Sequence, residues 1–522
     1  MSLSSARDRC DVGLLPVLLV LATAFAWLVT GNIGVALVPM LLVAASWSVL
    51  RMPIRWPVAA LVFVALLVEN PQARPMEDRW RSPFYLVGDL FYTNLNVLTG
   101  LEALRFSLFE VLLVVLASTL AIRRIGGVGA DGVARLSAGG RALIGMLGLS
   151  LATVLFLEAW GLARGGDLRQ SLWQGRQLVW LPVLCWLCIH AFRRREDVPL
   201  VVGVLLITGI LRAFTGYYYY ALCRMEGHVP SYVTTHADSV LWTMGVLICL
   251  CALVERPNGR TGILCLTYLP IAGLALVLND RRLAFVCLFI AAVVLLFVVR
   301  REVWLRLRHV AIAASPVIII YVAIGWHVEH RVFKPVNTVR SVLDDSDTSN
   351  HSRDVENFNL IYSALERPLF GSGLGHPYSE HIYTYRIDHV FEQYNFMPHN
   401  SVLWLLAVGG ILGFVGLWGF LPLVVWISAR AYKKASRLSE RIAALGGVAV
   451  VVSYMIQAWG DMGVHSWMVV IILAAYVGLV GNLERHTRSW RLDDERRRYP
   501  VIDDSNQDGT SPLESHGGSK CW

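Results

Sequence analysis

The chain has 522 residues, 56% of them hydrophobic, and its mean hydropathy of +0.54 is too high for an ordinary soluble protein. A net charge of +8 would suit a nucleic-acid partner. The arginines, however, sit in short clusters between apolar blocks, which is a topology pattern, so nucleic-acid binding is set aside. The nine cysteines form no disulfide framework, and Cys185 and Cys188 fall inside an apolar helix as small buried hydrophobes.

Apolar blocks long enough to cross a hydrocarbon core, which takes roughly 20 residues, recur along the chain. With no water in that core the backbone must bond to itself, so each block is helical, and the short alternating segments of a membrane barrel are absent. The first block, Gly13 to Thr30, is longer than a signal-peptide core and is followed by many others. In chain order the predicted spans are 12–30, 33–50, 54–69, 103–122, 142–162, 177–193, 198–215, 238–255, 261–279, 282–300, 308–326, 400–428, 442–460 and 464–483. The fold class is therefore an all-α integral membrane protein of about fourteen transmembrane helices.

Charge placement tests that count. With a cytoplasmic N-terminus, alternate connections carry Arg51 and Arg55; Arg123, Arg124, Arg135 and Arg141; Arg193 to Arg195; Arg256 and Arg260; Arg300, Arg301, Arg306 and Arg308; and Arg430, Lys433, Lys434, Arg437 and Arg441. The basic stretch Arg485 to Arg498 falls on the same side, whereas the opposite connections Gly31–Asn32 and Asp461–Val464 carry no positive charge. Both termini are thus expected in the cytoplasm, and the tail beyond Arg498 has a disordered composition.

One connection is long. The segment 327–399 is polar, lies on the outer side, and holds His327, His330, His351, His376, His381, His389 and His399. Its Phe333, Phe358, Ile361, Tyr362, Phe370, Tyr378, Phe391 and Tyr394 are enough to pack short amphipathic helices against the bundle.

Four features of this half bear on chemistry. Pro398 favours a first helical turn, which places His399 at the outer membrane face, where an imidazole can take a proton near neutral pH. Arg281 and Arg282 stand in a tight outward turn that the charge bias does not explain, and arginine forks suit phosphate oxygens. Arg353 precedes Pro368-Leu369-Phe370-Gly371-Ser372-Gly373-Leu374-Gly375-His376, whose glycines permit close backbone approach to a ligand but match no nucleotide fingerprint. Asp345-Ser346-Asp347 has the form of a metal-binding DxD but lies in a solvated acidic stretch, so no metal is assigned. Asp461 and His465 flank the last outward turn and, with His376 and Asn400, are candidates for supporting roles. Glu110, Glu158 and Arg212 are charges within spans, whose partners the sequence does not name.

Taken together, Pro398-His399-Asn400-Ser401-Val402-Leu403 running into Gly409-Gly410-Ile411-Leu412-Gly413, and Arg353 upstream of Pro368–Gly373, resemble the signature of the O-antigen ligase and polymerase superfamily. The turn Arg281-Arg282-Leu283-Ala284 resembles that family's Ser-Arg-Gly-Ala turn with two departures, Arg282 aligning with the family arginine and Arg281 replacing its serine. The likeness covers roughly residues 260–480. It implies a GT-C-like bundle that moves a glycan from a polyprenyl-diphosphate carrier to an acceptor hydroxyl at the periplasmic face of the bacterial inner membrane, without metal or cofactor. It also implies His399 as general base, with Arg282 and Arg353 holding the diphosphate and Arg281 assisting. A single displacement would invert the anomeric configuration. The acceptor, lipid A–core or another lipid-linked glycan, stays open. The altered arginine turn and long first half incline towards a capsule or exopolysaccharide polymerase or ligase-like protein.

The expected organisation is an N-terminal bundle at 1–260, a ligase- or polymerase-like region at 261–483 containing the loop 327–399, and a cytoplasmic tail at 484–522. The alternative from another class is a transporter or flippase for lipid-linked sugars. It predicts two similar halves with paired broken helices, and no such repeat is visible.

Overall fold

The computed structural model describes residues 52–68, 83–100, 105–125, 136–342, 348–383 and 393–487, together with helical positions 21, 24, 25 and 28. Most of the first two predicted spans, and Arg51, Arg135, Asp345, Ser346, Asp347, His389, Phe391 and the tail from 488, lie outside the described residues. Every element described is helical. The helices are α1 (Arg55–Leu67), α2 (Tyr85–Tyr92), α3 (Leu95–Thr99), α4 (Leu108–Ile125), α5 (Ala138–Ala163), α6 (Leu168–Ala191), α7 (Asp197–Met225), α8 (His236–Val254) and α9 (Gly259–Asn279). They continue with α10 (Arg282–Val298), α11 (Arg301–His327), α12 (Lys334–Val342), α13 (Thr348–Glu366), α14 (Ser401–Trp418), α15 (Phe420–Lys434), α16 (Leu438–Gly460) and α17 (Trp467–Thr487). Among the described residues, eight helices are long and apolar enough to cross a membrane, with α14 and α15 counted as one, and α1 and α10 are shorter apolar helices.

The centre of the bundle is α17, whose apolar stretch is buried throughout, against α6, α16 and α15. A helix apolar all round belongs in such a position. At the other extreme α11 keeps Val310, Val317, Ile319 and Ile320 exposed, the surface expected to face lipid. The charges inside predicted spans have partners. Glu110 accepts from Arg176 Nε at 2.7 Å and Trp180 Nε1 at 2.7 Å, and Glu158 accepts from Ser171 Oγ at 2.7 Å. Arg212 forks onto Asp238 at 2.7 and 2.6 Å, with both side chains buried. Removing one member of such a pair strands a charge and costs about 3–5 kcal/mol.

Helix α14 is broken in its middle. Gly410 sits at φ +57°, ψ −167°, a backbone region that only glycine occupies readily. The break frees the Ala407 and Val408 carbonyls, which accept from Ser372 N at 3.0 Å and Gly373 N at 2.8 Å. It also frees the Ile411 and Leu412 amides, which donate to the Pro368 and Leu369 carbonyls at 2.8 and 3.2 Å. The glycine-rich run thus plugs the gap in the helix. A Cβ on Gly410 would lie 2.3 Å from the Leu369 carbonyl carbon, and one on Gly371 would lie 2.3 Å from that of Val408. The close backbone approach expected for a ligand is an approach to α14. Irregular backbone is tolerated in a membrane protein where protein covers it, and here the loop supplies the missing bonds.

Candidate functional site

The helix ends that carry the candidate residues meet at one end of the bundle, where the α16–α17 turn is the meeting point. Asp461 caps the end of α16, and its Oδ2 accepts from Gln457 Nε2 at 3.0 Å and faces His236 Nδ1 at 3.7 Å. From α13, Arg353 donates Nη1 to the Gly460 carbonyl at 3.0 Å, and from α14, Ser401 Oγ donates to the Asp461 carbonyl at 3.4 Å. Arg281, between α9 and α10, lies over the ring of Tyr232 with its guanidinium carbon 3.9 Å from the centroid, and it senses Asp461 and Asp280 electrostatically. Partial burial lowers the pKa of Arg281, and Tyr232, Asp461 and Asp280 oppose that shift. Three helix connections and one loop helix therefore converge on a single turn.

His399 forms the other wall. Its Nδ1 donates to Glu356 Oε2 at 3.0 Å, and its backbone N–H donates to Glu356 Oε1 at 2.8 Å. Because a carboxylate only accepts, the proton sits on Nδ1 and the Nε2 lone pair is left to act as a base. Glu356 is 1% exposed, one helical turn beyond Arg353 on α13, so the two side chains lie on one face of that helix. Tyr394 stacks edge-on to His399 and hydrogen-bonds Glu356; burial, with the Glu356 charge, pushes its phenol above the ordinary range. Asn400 is the N-cap of α14, accepting from Val402 N and Leu403 N at 3.1 Å each, and its Nδ2 donates to Asn357 at 2.9 Å. It fixes the backbone that presents His399.

The remaining candidates make other contacts. Arg282 is the first residue of α10 and is exposed. His376 Nε2 donates to the Gly161 carbonyl at 3.1 Å, beside the loop that plugs α14. His465 stacks on Trp173, meets Trp404 edge-on, and binds the Gln174 carbonyl through Nε2 at 3.3 Å. Burial pushes its pKa down to about 3. Among the described residues, no group of three or more His, Cys, Asp or Glu side chains is arranged to hold a metal ion.

Sequence reading missed Glu356, His236, Tyr232 and Gln457. Glu356 was detectable as the acid three residues after Arg353 on an amphipathic helix. His236 was detectable as the first residue of a helix whose Thr235 and Asp238 are spaced as a capping pair.

Fold and site together define a multi-pass all-helical membrane protein with a polar cluster of histidines, arginines and carboxylates at one bundle end. Residues 267–418 match the family described as O-antigen ligase, and with the apolar helices this supports a bacterial membrane protein of the glycan-transferring ligase or polymerase class. The match contains Arg281, Arg353, Glu356 and His399 and covers less than half of the chain. No curated protein matches the chain.

Proposed function

We propose that the protein transfers a glycan from a polyprenyl-diphosphate carrier to an acceptor hydroxyl at the periplasmic face, with inversion and without a metal. Supporting this reading above all is the pairing of His399 with Glu356 in the same cluster as Arg281 and Arg353. His399 Nε2 takes the acceptor proton as the acceptor oxygen attacks the anomeric carbon. The anomeric C–O bond breaks, and its electron pair passes to the diphosphate. Arg281 and Arg353 stabilise that charge, the task that preorganised cations perform best in a water-poor site. Arg282, at the exposed start of α10, meets the incoming headgroup. About fourteen spans, cytoplasmic termini and a periplasmic loop at 327–399 fit the charge bias of the connections. The region 261–483 supplies Arg281, Arg353, Glu356, His399 and Asp461, and the preceding bundle adds Tyr232 and His236. The acceptor is lipid A–core or a second lipid-linked glycan.

The test uses purified protein, a polyprenyl-diphosphate oligosaccharide and an acceptor glycan, following release of polyprenyl diphosphate with EDTA present. Release by wild type and its loss in His399→Ala are expected. Equal release by both moves the base elsewhere. Glycan flux across liposomes without release replaces the enzyme by a transporter, and retained anomeric configuration in the product removes the single displacement.

A further inference from the structure

The segment joining α7 to α8 is built as rigidly as any part of the site. Asn279, buried at the end of α9, accepts from Val233 N at 3.2 Å and Thr234 N at 2.8 Å through Oδ1. Its Nδ2 donates to the Thr235 carbonyl at 3.1 Å and to Ser239 Oγ at 2.8 Å. One turn into α8, Asp238 accepts from Thr235 N at 3.2 Å and holds the buried fork of Arg212. These bonds fix two side chains. Tyr232 carries the Arg281 guanidinium on its face, and His236 lies 3.7 Å from Asp461. The charged and titratable groups facing His236 come from four elements: Asp461 from α16, Arg281 from the α9–α10 turn, Arg353 from α13, and His399 from before α14.

Two histidines thus stand in the cluster with different company. His399 has a carboxylate on Nδ1 and a lone pair on Nε2, the equipment of a base. His236 stands beside both arginines, where an anion is best held. Burial, with Arg281, Arg353 and His399, lowers its pKa; Asp461 opposes that shift, and a bound diphosphate would oppose it further. We propose that His236 is a further catalytic residue, the acid that hydrogen-bonds the departing diphosphate, with Asp461 as its positioning partner. This rests on the glycan-transfer reading given above. The acceptor proton goes to His399 Nε2, and the new bond forms from acceptor oxygen to anomeric carbon. The broken C–O pair stays on the diphosphate oxygen, which takes the Nε2 proton of His236. Protons then return through water from His399 to His236, so none is gained or lost.

The sign follows from that role. With the diphosphate bound beside it, His236 must carry a proton for turnover, so kcat falls at high pH as that proton is lost. His236→Gln is expected to lower kcat about 100-fold with KM little changed, and to abolish the alkaline fall in rate. Asp461→Asn keeps the imidazole but moves that fall to lower pH. Both are read as polyprenyl diphosphate release, beside thermal melting of each purified variant. An alkaline limb kept in His236→Gln, or a kcat within about twofold of wild type, overturns the inference while an inactive His399→Ala leaves the transfer reading standing. If His236→Gln melts early, an unmoved limb in a well-folded Asp461→Asn overturns it instead. A wild type that releases nothing, or a fully active His399→Ala, removes both proposals.

Discussion

Where α15 ends, Arg300 donates to the carbonyls of Tyr432 at 2.9 Å and Ala435 at 2.7 Å, closing the last turn of that helix. At the same end of the bundle Arg195 reaches the His486 carbonyl at 2.6 Å, and Arg441 pairs with Glu255 at 2.6 Å. At the opposite end Arg281 lies across a tyrosine ring, and its buried Nε has no hydrogen-bond partner. There Arg353 donates to one carbonyl from an exposed position. The same residue type closes helix ends with paired donors in one place and, in the other, gathers beside histidines and carboxylates with one contact to a helix end. The positive-inside bias accounts for the first set and not for the second. That is why the second set carries the functional argument.

If the contrast is sound, the sharpest break comes from the site end. Glu356→Gln keeps the shape of the buried side chain but removes the carboxylate that fixes the His399 tautomer and stabilises its protonated form. A fall in kcat of about 100-fold is expected, with KM nearly unchanged. A kcat within about twofold of wild type would reduce Glu356 to a packing role.

Arg281→Lys comes next in size. The point charge survives, but the flat fork over Tyr232 and its paired donors do not. A loss of about tenfold in kcat/KM is expected from one charge-assisted hydrogen bond. Equal losses in Arg281→Lys and Arg282→Lys would show that both arginines of the turn meet the diphosphate, whereas an unaffected Arg282→Lys would leave it to Arg281.

How much of this could be seen in the residues alone divides along the same line. The helices were legible because lipid forces the backbone to satisfy itself, and each predicted span from 54–69 onward has a helix; 400–428 was read as one span because apolarity does not register the break at Gly410. Arg281 and Arg282 were legible as candidates because the charge bias does not explain them, and His399 from the helix start after Pro398. Arg353 was legible from the family resemblance, and Asp461 from its place at the last outward turn. Glu356 and His236 carried only weak local signals, because a buried acid on a loop helix and a histidine at a helix start look ordinary until tertiary contacts bring α13 and α8 to the α16–α17 turn. The glycine-rich run was seen as a close approach, but what it approaches was not. That depends on orphan backbone groups of Ala407, Val408, Ile411 and Leu412, far along the chain, and no local pattern announces them.

His465 sharpens the comparison in a different observable. Its pKa, pushed down to about 3 by burial, means the unfolded chain binds a proton below its ordinary value of 6.5 while the folded chain does not. Stability should therefore be full above about pH 6.5 and fall as pH drops towards 3. His465→Phe should flatten that part of the melting-temperature curve. If the slope persists, other carboxylates or histidines cause it, and His465 is not the neutral group that its stacking between Trp173 and Trp404 implies.

The smallest effect belongs to the basic end. Arg300→Lys leaves the charge near the end of α15 but cannot reach the Tyr432 and Ala435 carbonyls together as the fork does. A loss of about 0.5–1 kcal/mol is expected, seen as a small drop in melting temperature, with transfer activity within about twofold of wild type. Arg281→Lys should show the reverse, an activity loss with little change in melting. If the two substitutions instead behave alike, the arginines of the two ends share one structural task. The case for a diphosphate clamp would then have to rest on Arg353 alone.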